Sequence, residues 1–137
     1  MAVRIVVDSY AWIEIFIGSS KGSKARDLLV KAREVYTPDF VLAEIARKYL
    51  REGLDQQIVL ARLREITEAS DIIPINVESA VESAKCYLEL REKSKKDRIP
   101  DPSLFDAMIL ATARILKAKV VTGDKHFKNL NETLWLE

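Results

Sequence analysis

The sequence predicts an α/β fold with a mainly parallel central sheet flanked by helices, and three observations carry that expectation. Two short β-branched runs, Arg4–Val7 and Lys119–Thr122, are apolar without alternation, as suits strands covered on both faces. Segments with apolar residues three and four positions apart, the pattern of a half-buried helix, lie between such runs. The two kinds of segment alternate along the chain, the order expected of a layered α/β architecture. No repeat or linker divides the 137 residues, so one domain over 1–137 is expected.

Taken in order, the first strand ends at Asp8 and a helix follows from Ser9 to Ile17. Gly18 to Ser23, rich in Gly and Ser, is expected to be a flexible junction. Ala25, Leu28, Leu29 and Ala32 make Lys24 to Arg33 helical, and Val35 and Tyr36 form a second short strand. Thr37-Pro38 reads as a helix start, since Thr caps free amides and Pro at the first helical position gives up an amide that has no partner. That helix should end near Gly53, with another over Asp55 to Ala69 and a third strand at Ile72 to Ile75. Asn76 should cap a long helix that buries a stripe of Val77, Ala80, Val81, Ala84 and Leu88 and gives way to a solvated loop over Lys93 to Arg98. Asp101-Pro102 repeats the cap-plus-proline pattern before a helix from Ser103 to Lys117 that is apolar on nearly every face and so expected to be buried. Lys119 to Thr122 is the fourth strand and Thr133 to Leu136 the fifth.

Lysine and arginine number 22 against 21 acids, a formal charge of +1. That balance excludes a polybasic tail or a wholly basic surface, which would attract phosphates without special geometry. Cys86, the one cysteine, has no partner for an internal disulfide, and with the one histidine it cannot build a Cys/His zinc site. A reducing compartment, the cytoplasm, is expected. Asp8 and Glu14 interrupt the apolar N-terminal stretch, so it fails as a signal peptide or a membrane span.

An ionised carboxylate costs several kcal/mol to bury alone, so acids inside apolar runs need explaining. Asp8 follows the first strand and Asp124 follows KVVT, both at the carboxyl ends where open α/β sheets place their ligand crevice. Glu44 is the only charge in FVLAEIA, residues 40 to 46. Asp106 shares a helical stripe with Ile109, Leu110 and Ala113, one turn into a helix with almost no polar face. Four carboxylates converging on one crevice repel one another unless cations lie between them, and carboxylate oxygens suit Mg²⁺ and Mn²⁺. Ser9 and Thr122, beside two of the acids, have hydroxyls able to hold a carboxylate or a metal's water shell.

At these residues the chain resembles PIN-domain proteins of the VapC toxin type. The matching segments are IVVDSYAWIE, FVLAEIARKY, SLFDAMILATAR and VVTGDKHFKNL, which run from end to end of the sequence. The resemblance implies a PIN-like fold in which Asp8, Glu44, Asp106 and Asp124 form an acidic metal-binding quartet, with Thr122 and Ser9 at the family's hydroxyl positions. It also implies a Mg²⁺- or Mn²⁺-dependent endoribonuclease, a small VapB-type antitoxin as partner, and a homodimer. Lys21, Lys24, Arg26, Lys125 and Lys128 are candidates for RNA backbone contact; a solvated face explains them equally well.

Other residues have plainer readings. Asp101 is taken as a helix cap and Asp39 as a first-turn acid. Glu14 is read as facing water or pairing with a base rather than touching the metal site, His126 as a lone surface histidine rather than a contact for RNA phosphate, and Cys86 as packing in or near the core. Tyr10, Trp12, Phe16 and Tyr49 line a dimer or antitoxin groove in one reading and belong to the core in the other. Two rival functions are a PIN scaffold that binds without cutting and an RNA-processing PIN nuclease that is not a toxin. A receiver-type phosphoacceptor is disfavoured, because no acidic pair stands near the end of the first strand.

Overall fold

The computed structural model describes residues 2–137. Strands β1 (Arg4–Val7), β2 (Glu34–Pro38), β3 (Asp71–Ile73), β4 (Lys119–Thr122) and β5 (Thr133–Trp135) form one sheet in the order β3-β2-β1-β4-β5, with every pairing parallel. Helices α1 (Ser9–Ile17), α2 (Ser20–Lys31), α3 (Asp39–Arg51), α4 (Gln56–Ala69), α5 (Val77–Asp97) and α6 (Leu104–Leu116) make the connections. Ile5, Val6 and Val7 have no exposed surface, nor have Val120 and Val121. Since neighbouring strand residues face opposite sides, the two central strands are covered on both. From β1 the chain builds β2 and β3 to one side and later returns to add β4 and β5 on the other. The order therefore reverses between β1 and β4, and the crevice beyond their carboxyl ends is the switch point at which such sheets hold ligands.

Several boundaries differ from the expected ones, each for a local reason. Gly18, at φ 78°, ends α1, and Ser19 at once caps α2 by accepting from the Gly22 amide. No flexible junction separates them. A Cβ on Gly22 would stand 2.0 Å from the Glu14 carbonyl oxygen, so this glycine serves close helix contact rather than mobility. Thr37 caps nothing: it lies in β2, and its buried hydroxyl accepts from Trp12 Nε1 at 3.1 Å and pairs with Ser70 Oγ at 2.8 Å. Helix α3 starts after Pro38 without a side-chain cap. Ser103, not Asp101, caps α6, in a reciprocal capping box with Asp106. Asp101 is exposed and stands 4.0 Å from Arg91.

Helix α5 is the largest reversal. Asn76 does cap it, but the stripe expected inside is outside, with Val77, Val81 and Leu88 exposed by 84%, 57% and 62%. The buried face is Ser79, Ser83, Cys86, Leu90 and Ser94, which packs on α6. These small residues have the same helical spacing as the apolar stripe. Ser83 Oγ donates to the Ser79 carbonyl, so its hydroxyl is satisfied within its own helix. Residues Lys93 to Asp97 continue the helix rather than forming a loop, and Arg98 ends it in the left-handed region. In α6 the middle, from Ala107 to Ala113, is buried except for half-buried Met108, whereas Leu104, Phe105 and Ile115 reach the surface. Strand β3 is shorter than expected and begins at Asp71.

Candidate metal centre

Asp8 is the first residue beyond β1 and the N-cap of α1, where its Oδ1 accepts from the Ala11 amide at 2.9 Å. Asp124 lies two residues beyond β4 and caps a short 3₁₀ turn, Lys125–Phe127, with its Oδ1 accepting from the His126 amide at 2.9 Å. Asp106 closes the capping box of α6, its Oδ2 accepting from the Ser103 amide at 2.9 Å. Three acids thus stand at helix starts, where amides and the helix dipole favour negative charge. Each is anchored through one carboxylate oxygen. Glu44 comes from α3, half-buried one turn beyond the stacked rings of Phe40 and Phe105, whose centroids are 5.2 Å apart.

The acids act on one another. Burial pushes the Asp8 carboxyl up to about 7, with Asp124 and Asp106 adding to the rise, against the opposing pull of the Thr122 hydroxyl and the Ala11 amide. Burial likewise raises Asp106, helped by Asp124, and raises Glu44, helped by Asp106. The Ser9 hydroxyl favours the ionised form of Glu44, as does Arg47. Thr122 Oγ1 also accepts from the Asp124 amide at 3.0 Å, fixing the turn out of β4. The four acids named from the sequence therefore share one electrostatic neighbourhood. The tightest group among the described residues is Asp106, Asp124 and His126, with one ligand atom from each within 4.8 Å of the others.

His126 is the residue that sequence reasoning missed. It is not a free surface ring: Nδ1 lies 2.8 Å from Asp124 Oδ1 and 3.7 Å from Asp106 Oδ2, and Nε2 lies 2.9 Å from the Pro100 carbonyl oxygen. Burial alone would lower its pKa, but the Pro100 carbonyl and the two aspartates raise it. The signal was present in Asp124-Lys125-His126, because residues two apart in a tight turn bring their side chains together.

Of the basic candidates, Lys21, Lys125 and Lys128 line a cleft of about 730 Å³ with Tyr10, Asp124 and Trp135. Lys21 donates to the Tyr10 hydroxyl at 3.0 Å, and Lys128 stands over the Trp135 ring at 5.6 Å. Lys24 instead donates to the Trp135 carbonyl, and Arg26 is exposed on α2. Tyr10 packs on Gly123, where a Cβ would stand 2.4 Å from its ring. Trp12 and Tyr49 are core residues; Phe16 stacks on Trp12 and lies under Arg62. Glu14 accepts from Ser19 Oγ and joins α1 to α2, apart from the acidic group. Cys86 is wholly buried. No helix among the described residues is long and apolar enough to cross a membrane.

A parallel α/β sheet whose switch point gathers carboxylates from two strand ends and two helices defines the class of protein. The particular assignment follows from sequence: the chain belongs to the PIN-domain family, whose model matches residues 5–132. No curated protein matches by sequence. In fold it is similar to a toxin-antitoxin complex from Klebsiella pneumoniae, at 20% identity and a TM-score of 0.69 over 97% of this chain and 98% of that one. VapBC2 from Rickettsia felis, bound to a promoter DNA fragment, is similar at 17% identity and a TM-score of 0.69 over 96% of each chain. VapC20 from Mycobacterium tuberculosis, a toxin that cleaves the sarcin-ricin loop, is similar at 19% identity and a TM-score of 0.65 over 90% of this chain and 92% of that one.

Proposed function

We propose that this protein is a Mg²⁺- or Mn²⁺-dependent endoribonuclease, the toxin of a VapBC-type pair, with Asp8, Glu44, Asp106 and Asp124 as its metal-holding acids. The observation that carries the reading is the crowding of carboxylates at the β1/β4 switch point, where Asp8 is pushed to about 7 by burial and by its two aspartate neighbours. Such a group is unfavourable as four anions and favourable around a divalent cation. Its donor set fits: all four are carboxylates, the ligands that Mg²⁺ and Mn²⁺ prefer. When bound, the ion supplies Lewis-acid activation of water and neutralises charge at a phosphodiester.

The protein's own residues do the rest. Backbone amides of Ala11, Ser103 and His126 hold one oxygen of Asp8, Asp106 and Asp124, so the carboxylates are oriented before any ligand arrives. Thr122 Oγ1 steadies Asp124 by accepting from the Asp124 amide, and the same hydroxyl favours the ionised form of Asp8. Lys21, Lys125 and Lys128, around the cleft that Asp124 also lines, suit the backbone of an RNA strand, and the Tyr10 and Trp135 rings suit its bases. Single-stranded or looped RNA is the substrate class, since its backbone can bend into the crevice.

The partners follow the same reading: a VapB-like antitoxin and a second copy of the chain in a cytoplasmic setting. The exposed α5 stripe suits the homodimer. Incubation of the purified protein with mixed RNAs, with Mn²⁺ or with a chelator, followed by mapping of the new ends, tests the activity. Metal-dependent internal cuts are expected. Binding of RNA without cleavage in either metal would favour a scaffold instead.

A further inference from the structure

His126 is the only histidine in the chain, and its ring is held on both sides. Nε2 lies 2.9 Å from the Pro100 carbonyl oxygen, an atom that only accepts, so Nε2 carries a hydrogen. Nδ1 then faces Asp124 Oδ1 at 2.8 Å and Asp106 Oδ2 at 3.7 Å. In the metal-free protein a proton on Nδ1 satisfies this contact, and a divalent cation seated between the ring and the two carboxylates would take that proton's place. The arrangement of one ring nitrogen toward an acidic group and the other N–H donated to a backbone carbonyl is the one that metal-ligating imidazoles adopt. The spacing agrees as well: donors about 2.1 Å from Mg²⁺ or Mn²⁺ stand about 3 Å apart when adjacent on an octahedron. The ring's placement is preset by its neighbours in the turn, since Asp124 caps it through the His126 amide and Phe127 is fully buried.

We propose that His126 is a nitrogen donor of this centre, ligating through Nδ1 the cation held by Asp106 and Asp124. The inference rests on the metal-centre reading above. A nitrogen donor suits first-row transition ions better than Mg²⁺, so His126 favours such ions over Mg²⁺, with Mn²⁺ the most weakly held among them.

A chain with one histidine permits a direct test by pulsed electron paramagnetic resonance on tag-free protein loaded with Mn²⁺. Any imidazole nitrogen bonded to the ion must then be His126. The expected spectrum shows hyperfine coupling to a directly bonded ¹⁴N, replaced by the ¹⁵N pattern after labelling with ¹⁵N-histidine. In His126→Phe the nitrogen coupling disappears, Mn²⁺ affinity falls by about tenfold or more, and Mg²⁺ affinity changes less. Protein-bound Mn²⁺ without nitrogen coupling in the wild type overturns the assignment of His126 while leaving the carboxylate centre intact. Absence of any bound Mn²⁺ overturns both readings. Should the Phe variant fail to fold, the labelled wild-type spectrum decides alone.

Discussion

Asp8 carries the sharpest consequence for a single residue. The folded protein keeps a proton on this buried carboxyl up to about pH 7, whereas an unfolded Asp releases it near pH 4. Between those values the native state binds more protons, so the stability of the metal-free protein falls as pH rises through this window. Asp8→Asn removes the buried charge and keeps the N-cap, because Asn accepts from the Ala11 amide equally well. Chelator-treated Asp8→Asn is therefore expected to be more stable than the wild type at pH 8, by up to a few kcal/mol, with the gap closing toward pH 4. Denaturant titrations at the two pH values check this; equal stability at pH 8 would contradict it. Saturating Mn²⁺ should stabilise the wild type alone. At this scale the sequence was informative about the acids, because a charge inside FVLAEIA or at the end of a β-branched run has no cheap alternative. Asp8, Asp106 and Asp124 also serve as cap or first-turn residues of the elements they begin. His126 was read as a surface residue because much of its environment comes from Pro100, 26 residues away, and from Asp106 on another element.

Among the elements, the α1–α2 corner depends on Gly22. All three near atoms at Gly22 are main-chain atoms of Glu14 and Ile15, which cannot swing aside, so Gly22→Ala is expected to destabilise the fold by about 2 kcal/mol or more. Thermal or chemical denaturation measures it, and an unchanged midpoint would contradict the close contact. Helix α5 makes the opposite point about patterning. Its apolar positions spelled a stripe, and that stripe is in solvent; the buried face consists mainly of serines and one cysteine. Hydrophobic spacing shows that a helix has two faces but not which one a neighbouring helix takes when small residues permit close packing and their hydroxyls return to the backbone. Leu90→Ala should accordingly cost about 2–5 kcal/mol. Val81→Glu combined with Leu88→Glu should leave the monomer's stability within about 0.5 kcal/mol, yet lower the oligomeric state seen by light scattering. Retention of the dimer by the double variant would place the subunit contact elsewhere. The bounds of β1 and β4 were legible because a strand buried on both faces has no alternation to misread, whereas the less covered β3 was shifted. Caps were less so: Thr37 and Asp101 have the right chemistry, but the first was taken by Trp12 and Ser70, and the second lost to Ser103.

Across the whole molecule, the near-neutral charge has an uneven distribution. Setting aside the four crevice acids of the 21 leaves 17 against 22 bases, so the remainder is mildly basic while the crevice is acidic. In the proposed function, phosphate is repelled from the centre until a cation is bound, and Lys21, Lys125 and Lys128 would hold the RNA backbone in a cleft that Asp97, Asp124 and Glu137 also line. RNA binding through Lys21, Lys125 and Lys128 should weaken with salt, and Lys125→Ala combined with Lys128→Ala should flatten that salt dependence; an unchanged slope would remove these lysines from the interface. The central claim, that the carboxylate group at the β1/β4 switch point is a metal-dependent ribonuclease centre, is tested most directly by one experiment. RNA cleavage is followed across a Mn²⁺ titration for the wild type and for Asp106→Asn, with circular dichroism confirming that both are folded. The expected result is saturable, Mn²⁺-dependent cleavage by the wild type and a rate lower by at least about a hundredfold in the variant; equal cleavage by the two proteins, or cleavage that persists in chelator, would contradict it.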